Sequence, residues 1–67
     1  MKYIVKYYLY LIHKKNGLSH LSHISDKKEE IDDIINIWKK YGLDKDFNFK
    51  IQKISLFGRI ILVKNLN

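Results

Sequence analysis

Residues 3–24 read YIVKYYLYLIHKKNGLSHLSHI, two largely apolar runs on either side of Asn16-Gly17. Asn-Gly between apolar runs is the strongest short-range hairpin signal, because a type I′ turn needs positive φ at both central residues. A two-residue loop fixes the register. It sets Lys15 opposite Leu18, Lys14 opposite Ser19, His13 opposite His20, Ile12 opposite Leu21 and Tyr10 opposite His23.

Neighbours along a strand point to opposite faces, so this register sorts the side chains. One face carries Tyr3, Val5, Tyr7, Leu9, Leu11 and His13, with Leu18, His20, Ser22 and Ile24 across from them. Its aliphatic middle makes it the core face. The other carries Lys2, Ile4, Lys6, Tyr8, Tyr10, Ile12 and Lys14, with Ser19, Leu21, His23 and Ser25. A slip of one residue would exchange the two faces, so the assignment rests on the turn.

After the hairpin, Asp26 is placed as a helix N-cap with Glu29 three residues on, the spacing of a capping box; Ser25 is the competing cap. A helix over 27–41 puts Ile31, Ile34, Ile35, Trp38 and Tyr41 on one stripe, with Ile37 on its flank. Acids at 29, 30, 32 and 33 and lysines at 39 and 40 complement the helix dipole. Gly42 suits the left-handed residue after the helix, and Leu43 suits a fold-back onto the last turn. Asp44-Lys45-Asp46 is a short link.

Phe47, Phe49 and Ile51 alternate with Asn48, Lys50 and Gln52, the pattern of a half-buried strand. A turn within 55–58 uses Gly58 for positive φ. Ile60-Ile61-Leu62-Val63, bounded by Arg59 and Lys64, reads as a central strand because it is apolar on both faces. Residues 65–67 are a tail. The resulting fold is α+β in the order ββαββ: one domain over 1–67, a mostly antiparallel four-stranded sheet with the helix packed on one face. The Trp38 stripe is expected to bury against Leu9, Leu11, Phe49 and Ile60 or Ile61.

Sixty-seven residues give a small core, and with no cysteine no disulfide or thiolate chemistry reinforces it. Packing, or a second copy of the chain, must supply the stability, which makes a homodimer an expectation. No run approaches the length of a membrane span, and the apolar segment 7–12 has no signal-peptide cleavage site after it. These features place the chain in the cytoplasm. Thirteen basic against seven acidic residues give a formal charge of +6, which favours nucleic acid, an anionic membrane or an acidic protein face as partner, with solubility as the plain alternative. The Lys-, Ile- and Asn-rich, proline-free usage matches an A+T-rich genome.

The candidate chemistry is sparse. An opposed His13–His20 pair could hold a metal ion, but no cysteine or carboxylate lies near in sequence to complete a site of three or four ligands. Ser19, Ser22 and Ser25 lie near histidines without an orienting acid or oxyanion donors, so a histidine-dependent hydrolase or nuclease is disfavoured. The acids of the helix are explained by its dipole, and no glycine-rich phosphate loop is present. No catalytic residue, cofactor or metal is assigned.

The remaining surface is the basic and aromatic sheet face, with Lys2, Lys6, Tyr8, Tyr10, Lys14 and His23 as candidate partner-binding residues. Tyrosines on such a face can stack on unpaired bases while lysines neutralise phosphates. Its apolar content favours a protein or nucleoprotein partner. The profile resembles in type the small accessory proteins of phages and other mobile elements, many of which bind and block a host or defence protein, CRISPR effectors included. The expected function is a non-enzymatic binding module of that kind. Direct binding of single-stranded nucleic acid or RNA is the alternative.

Overall fold

The computed structural model describes residues 5–55 and 57–66. Lys2, Tyr3 and Ile4, assigned above to the first strand, lie outside the described residues. The chain forms β1 (Val5–His13), β2 (Ser19–Ser25), α1 (Lys28–Lys40), a 3-10 turn (Leu43–Lys45), β3 (Phe47–Ser55) and β4 (Ile60–Leu66). The four strands make one antiparallel sheet in the order β2-β1-β3-β4. This is the expected ββαββ fold.

The chain leaves β2 on one flank of β1 and must re-enter the sheet as β3 on the other, so α1 crosses above β1. That path explains the core. Leu9 of β1 and Ile31 of α1 are fully buried, with Ile35, Phe49 and Ile51 around them. Tyr7, Leu11, Ile34, Trp38, Leu43, Phe47 and Leu66 close the rim. The helix stripe is the expected one as far as Trp38. Tyr41 departs from it and is 78% exposed, because the helix has already ended there, with Tyr41 at φ −87°, ψ 3°.

The first hairpin closes differently from the two-residue turn. Among the described residues only glycines have positive φ, so Asn16 cannot occupy a type I′ turn. Instead the Asn16 Oδ1 accepts the Leu18 N–H at 3.0 Å, and Gly17, at φ 72°, donates its N–H to the His13 carbonyl at 2.8 Å. Lys14–Gly17 thus form a four-residue loop under the His13 N–H bond to the Leu18 carbonyl. The register shifts by two, to Ile12 opposite Ser19 and Leu11 opposite His20. A shift of two preserves the faces. A bulge then changes them: Leu9 opposes His23 and Tyr10 opposes Leu21, leaving Ser22 as the extra residue. From His23 onward the faces expected for β2 are exchanged.

The helix start is also corrected. Lys27, not Asp26, is the extended residue before α1, and no side chain caps it. Ser25 does the local work: its Oγ accepts the Lys27 N–H at 3.0 Å and donates to Glu30 Oε2 at 2.6 Å. Replacing Ser25 by Ala removes both bonds, and the expected loss in urea unfolding is about 1 kcal/mol, the usual scale of a helix-start contact.

At the other end Gly42 takes φ 79° and donates its N–H to the Lys39 carbonyl at 3.1 Å. A Cβ there would meet only the Lys45 Cε at 3.9 Å, so the penalty of Gly42→Ala is conformational. The left-handed backbone sets it at about 1–2 kcal/mol, to be read as a lower urea midpoint with an unchanged slope.

The second turn keeps Gly58 at φ 78°, as expected. β4, however, is an edge strand and not a central one, and it includes Asn65 and Leu66, expected as tail. Ile60, Ile61, Leu62 and Val63 are 47–56% exposed. Ile60 and Ile61 therefore do not meet the helix, and Ile51 and Leu66 take that role.

Candidate binding face

Directly opposed residues in an antiparallel sheet share a face, so the registers give the uncovered side row by row. Ile24, Tyr8, Gln52 and Val63 cross it from β2 to β4. Beside them run Leu21, Tyr10, Lys50 and Asn65. Ser19, Ile12 and Asn48 flank one side, and Lys6, Ile54 and Ile60 the other. The central residues of β1 and β3 on this face are half-buried by their neighbours, while Leu21, Ile24, Ile60 and Val63 are about half exposed. The face is a broad apolar and tyrosine-bearing surface with few charges.

Its charges are of one sign. All seven acids lie within residues 26–46, together with five lysines, in the segment that builds the helix layer. The rest of the sequence has eight cations (Lys2, Lys6, Lys14, Lys15, Lys50, Lys53, Arg59 and Lys64) and no acid, and all of them but Lys2 lie in the described strands and hairpin turns. On the open face, the Lys50 ammonium sits 4.8 Å from the centre of the Tyr10 ring. This contact holds the lysine against the sheet and occupies one face of that ring.

Of the residues singled out from sequence, Lys6, Tyr8 and Tyr10 stand together on the open face. Lys2 is outside the described residues. Lys14 lies in the hairpin loop and not on a strand face; its N–H bonds the Asp46 carbonyl at 3.0 Å. Its side chain lines a shallow concavity with His13, Lys15, Lys45, Asp46 and Phe47. His23 is corrected outright. The Ser22 bulge turns it to the helix face, where its ring lies 5.8 Å from Trp38, and Ile24 takes the open face opposite Tyr8.

The second hairpin adds residues to this face beyond those singled out above. Its members, Lys50, Gln52 and Val63, were within reach. If Phe49 and Ile51 face the core, then Lys50 and Gln52 must face away from it.

The histidines have structural surroundings. His13 and His20 are not directly opposed, but both reach the helix face, with rings 5.5 Å apart, edge to face. His13 also packs on Phe47, with ring centres 4.3 Å apart. Ser22 Oγ lies 2.7 Å from His23 Nδ1 on exposed ground, and the neighbour of that imidazole is the Trp38 indole in place of a carboxylate. Among the described residues no three His, Asp or Glu side chains converge. No described helix is long and apolar enough to cross a membrane.

No protein-family model matches the chain, and the curated proteins and solved structures compared with it give no match either.

Proposed function

We propose that the chain is a non-enzymatic binding module that docks on a larger protein through its open sheet face. The observation that carries this reading is the pair of cross-sheet rows centred on Tyr8 and Tyr10, flanked by Ile24, Leu21 and Val63 and free of acids. Apolar patches of this kind on small proteins mark interaction sites, and tyrosine is enriched among residues that dominate binding. With lysines the only charges on the face, the complementary surface is largely apolar, with acidic groups opposite Lys6 and Lys50.

A protein is favoured over nucleic acid by the Lys50–Tyr10 contact. A base stacking on that side of Tyr10 would have to displace the ammonium already seated there. A module of this kind acts by occupying a surface. That is how the phage and mobile-element accessory proteins it resembles in type block host or defence proteins.

The test is to identify the partner by affinity capture, purify it, and map its footprint by NMR amide shifts on the labelled chain. The shifts are expected at Tyr8, Tyr10, Gln52 and Val63, with capture unaffected by nuclease. Capture abolished by nuclease, with oligonucleotides binding tightly at low salt and weakly at physiological salt, would replace this reading with the nucleic-acid one.

A further inference from the structure

Lys14 is not part of the open face, and the structure gives it other company. At the loop end of the sheet, His13, Lys14 and Lys15 of the first hairpin meet Lys45, Asp46 and Phe47, from the end of the 3-10 turn and the start of β3, around one open hollow. Backbone bonds pin these two segments together. The Lys14 N–H donates to the Asp46 carbonyl at 3.0 Å, the Lys45 N–H to the Gly42 carbonyl at 3.2 Å, and the Gly17 N–H to the His13 carbonyl at 2.8 Å. Lysines far apart in sequence therefore project from fixed backbone into one place.

The hollow is cationic on its rim and aromatic on one wall. Three lysines against the Asp46 carboxylate leave a local charge of +2. Among the described residues none of these lysines is ion-paired, since the one pair there joins Lys28 to Asp32. Like charges held together without a counter-charge repel, and an anion carrying several charges relieves that repulsion. Lysine binds phosphate as a point charge, so ammonium groups can hold phosphates without a glycine-rich loop. The wall is made by the His13 and Phe47 rings, with centres 4.3 Å apart. Among the described residues the lysines seated on aromatic rings are Lys50 on Tyr10 and Lys53 on Tyr7, so no ammonium occupies Phe47. A planar base can lie against such a wall. The volume, about 610 Å³, falls within the range of about 300–1,000 Å³ typical of small-molecule sites.

We propose that this hollow binds a nucleoside polyphosphate, with its phosphates on Lys14, Lys15 and Lys45 and its base against the His13 and Phe47 rings. Inorganic phosphate would satisfy the lysines and leave the wall empty. The site shares no residue with the rows about Tyr8 and Tyr10, so its outcome is separate from that of the docking reading.

The test is titration of the labelled full chain with ATP, read by NMR amide shifts. Saturating shifts are expected at Lys14, Lys15, Lys45 and Phe47, with a dissociation constant of about 1 mM or tighter. Adenosine is expected not to saturate. Replacing both Lys14 and Lys45 by Gln is expected to weaken ATP binding about tenfold, and Asp46→Asn to tighten it about threefold, by removing the one negative charge on the rim. The Asp46 main chain makes the bonds to Lys14 and Leu43, so the second variant keeps them. Tyr8→Asp is expected to bind ATP as the wild type does, and the amide spectrum of each variant is the folding control. A spectrum unchanged by ATP at several times that concentration would overturn the proposal. So would shifts that sodium sulfate reproduces at matched ionic strength, an Asp46→Asn variant that binds no tighter, shifts gathered at Tyr8 and Tyr10, or an oligonucleotide that fills the hollow more tightly than ATP.

Discussion

Phe49→Ala is expected to leave the chain mostly unfolded at 25 °C. Phe49 is 1% exposed, is the largest fully buried side chain among the described residues, and packs against Trp38 with ring centres 5.2 Å apart. Truncating a buried phenylalanine costs about 3–5 kcal/mol through lost transfer energy and the cavity left behind. A domain of this size has a total stability of about 3–10 kcal/mol, at about 0.05–0.15 kcal/mol per residue. Among the described residues the core around Phe49 has four other buried side chains, so there is little to collapse into the gap. Circular dichroism with urea unfolding reads the effect directly. Phe57→Ala is the matched control, since that ring is 94% exposed, and it is expected to change stability by less than about 0.5 kcal/mol. A cooperative Phe49→Ala transition at the wild-type midpoint would show that the core lies elsewhere.

Tyr8→Asp is expected to weaken partner binding by at least about 30-fold, the equivalent of about 2 kcal/mol for a tyrosine at the centre of an interface. Tyr8 lies between Ile24 and Gln52, so the substitution puts a carboxylate in the middle of the apolar rows. It also sets a negative charge near the acidic groups expected of the partner opposite Lys6 and Lys50. The fold should survive, since Tyr8 is outside the buried cluster and exchanges on a sheet surface span only about 1 kcal/mol. Val63→Asp, half exposed on the same row at β4, provides an independent check. The measurement is titration calorimetry against the identified partner, with the amide spectrum as the folding control. Full affinity in a folded Tyr8→Asp protein would remove the open face as the docking site.

The helix and the division of the sheet into core and open faces were legible because both depend on local periodicity. Ile31, Ile35, Phe49 and Leu9 each carry their burial in their spacing. What sequence could not supply depends on single backbone choices. Asn16-Gly17 is compatible with a two-residue turn, and the Asn16 side chain selects the longer loop by taking the Leu18 N–H. Nothing in Leu21-Ser22-His23 marks Ser22 as the unpaired residue, yet that residue moves His23 from the binding face to the side of Trp38. The place of β4 is hidden for another reason. A strand apolar on both faces ordinarily implies burial between neighbours, and strand order is a property of the whole sheet that no local pattern encodes.

The confinement of every carboxylate to residues 26–46 has a consequence for how the molecule meets other molecules. With cations spread through the sheet and anions gathered in the helix layer, the chain carries a permanent electric dipole running between its two layers. In the field of an anionic body this turns the molecule during diffusion, so that most collisions are made with the strands leading. Added salt would slow such encounters by blurring that torque, while leaving the lifetime of a complex held by apolar contact nearly unchanged.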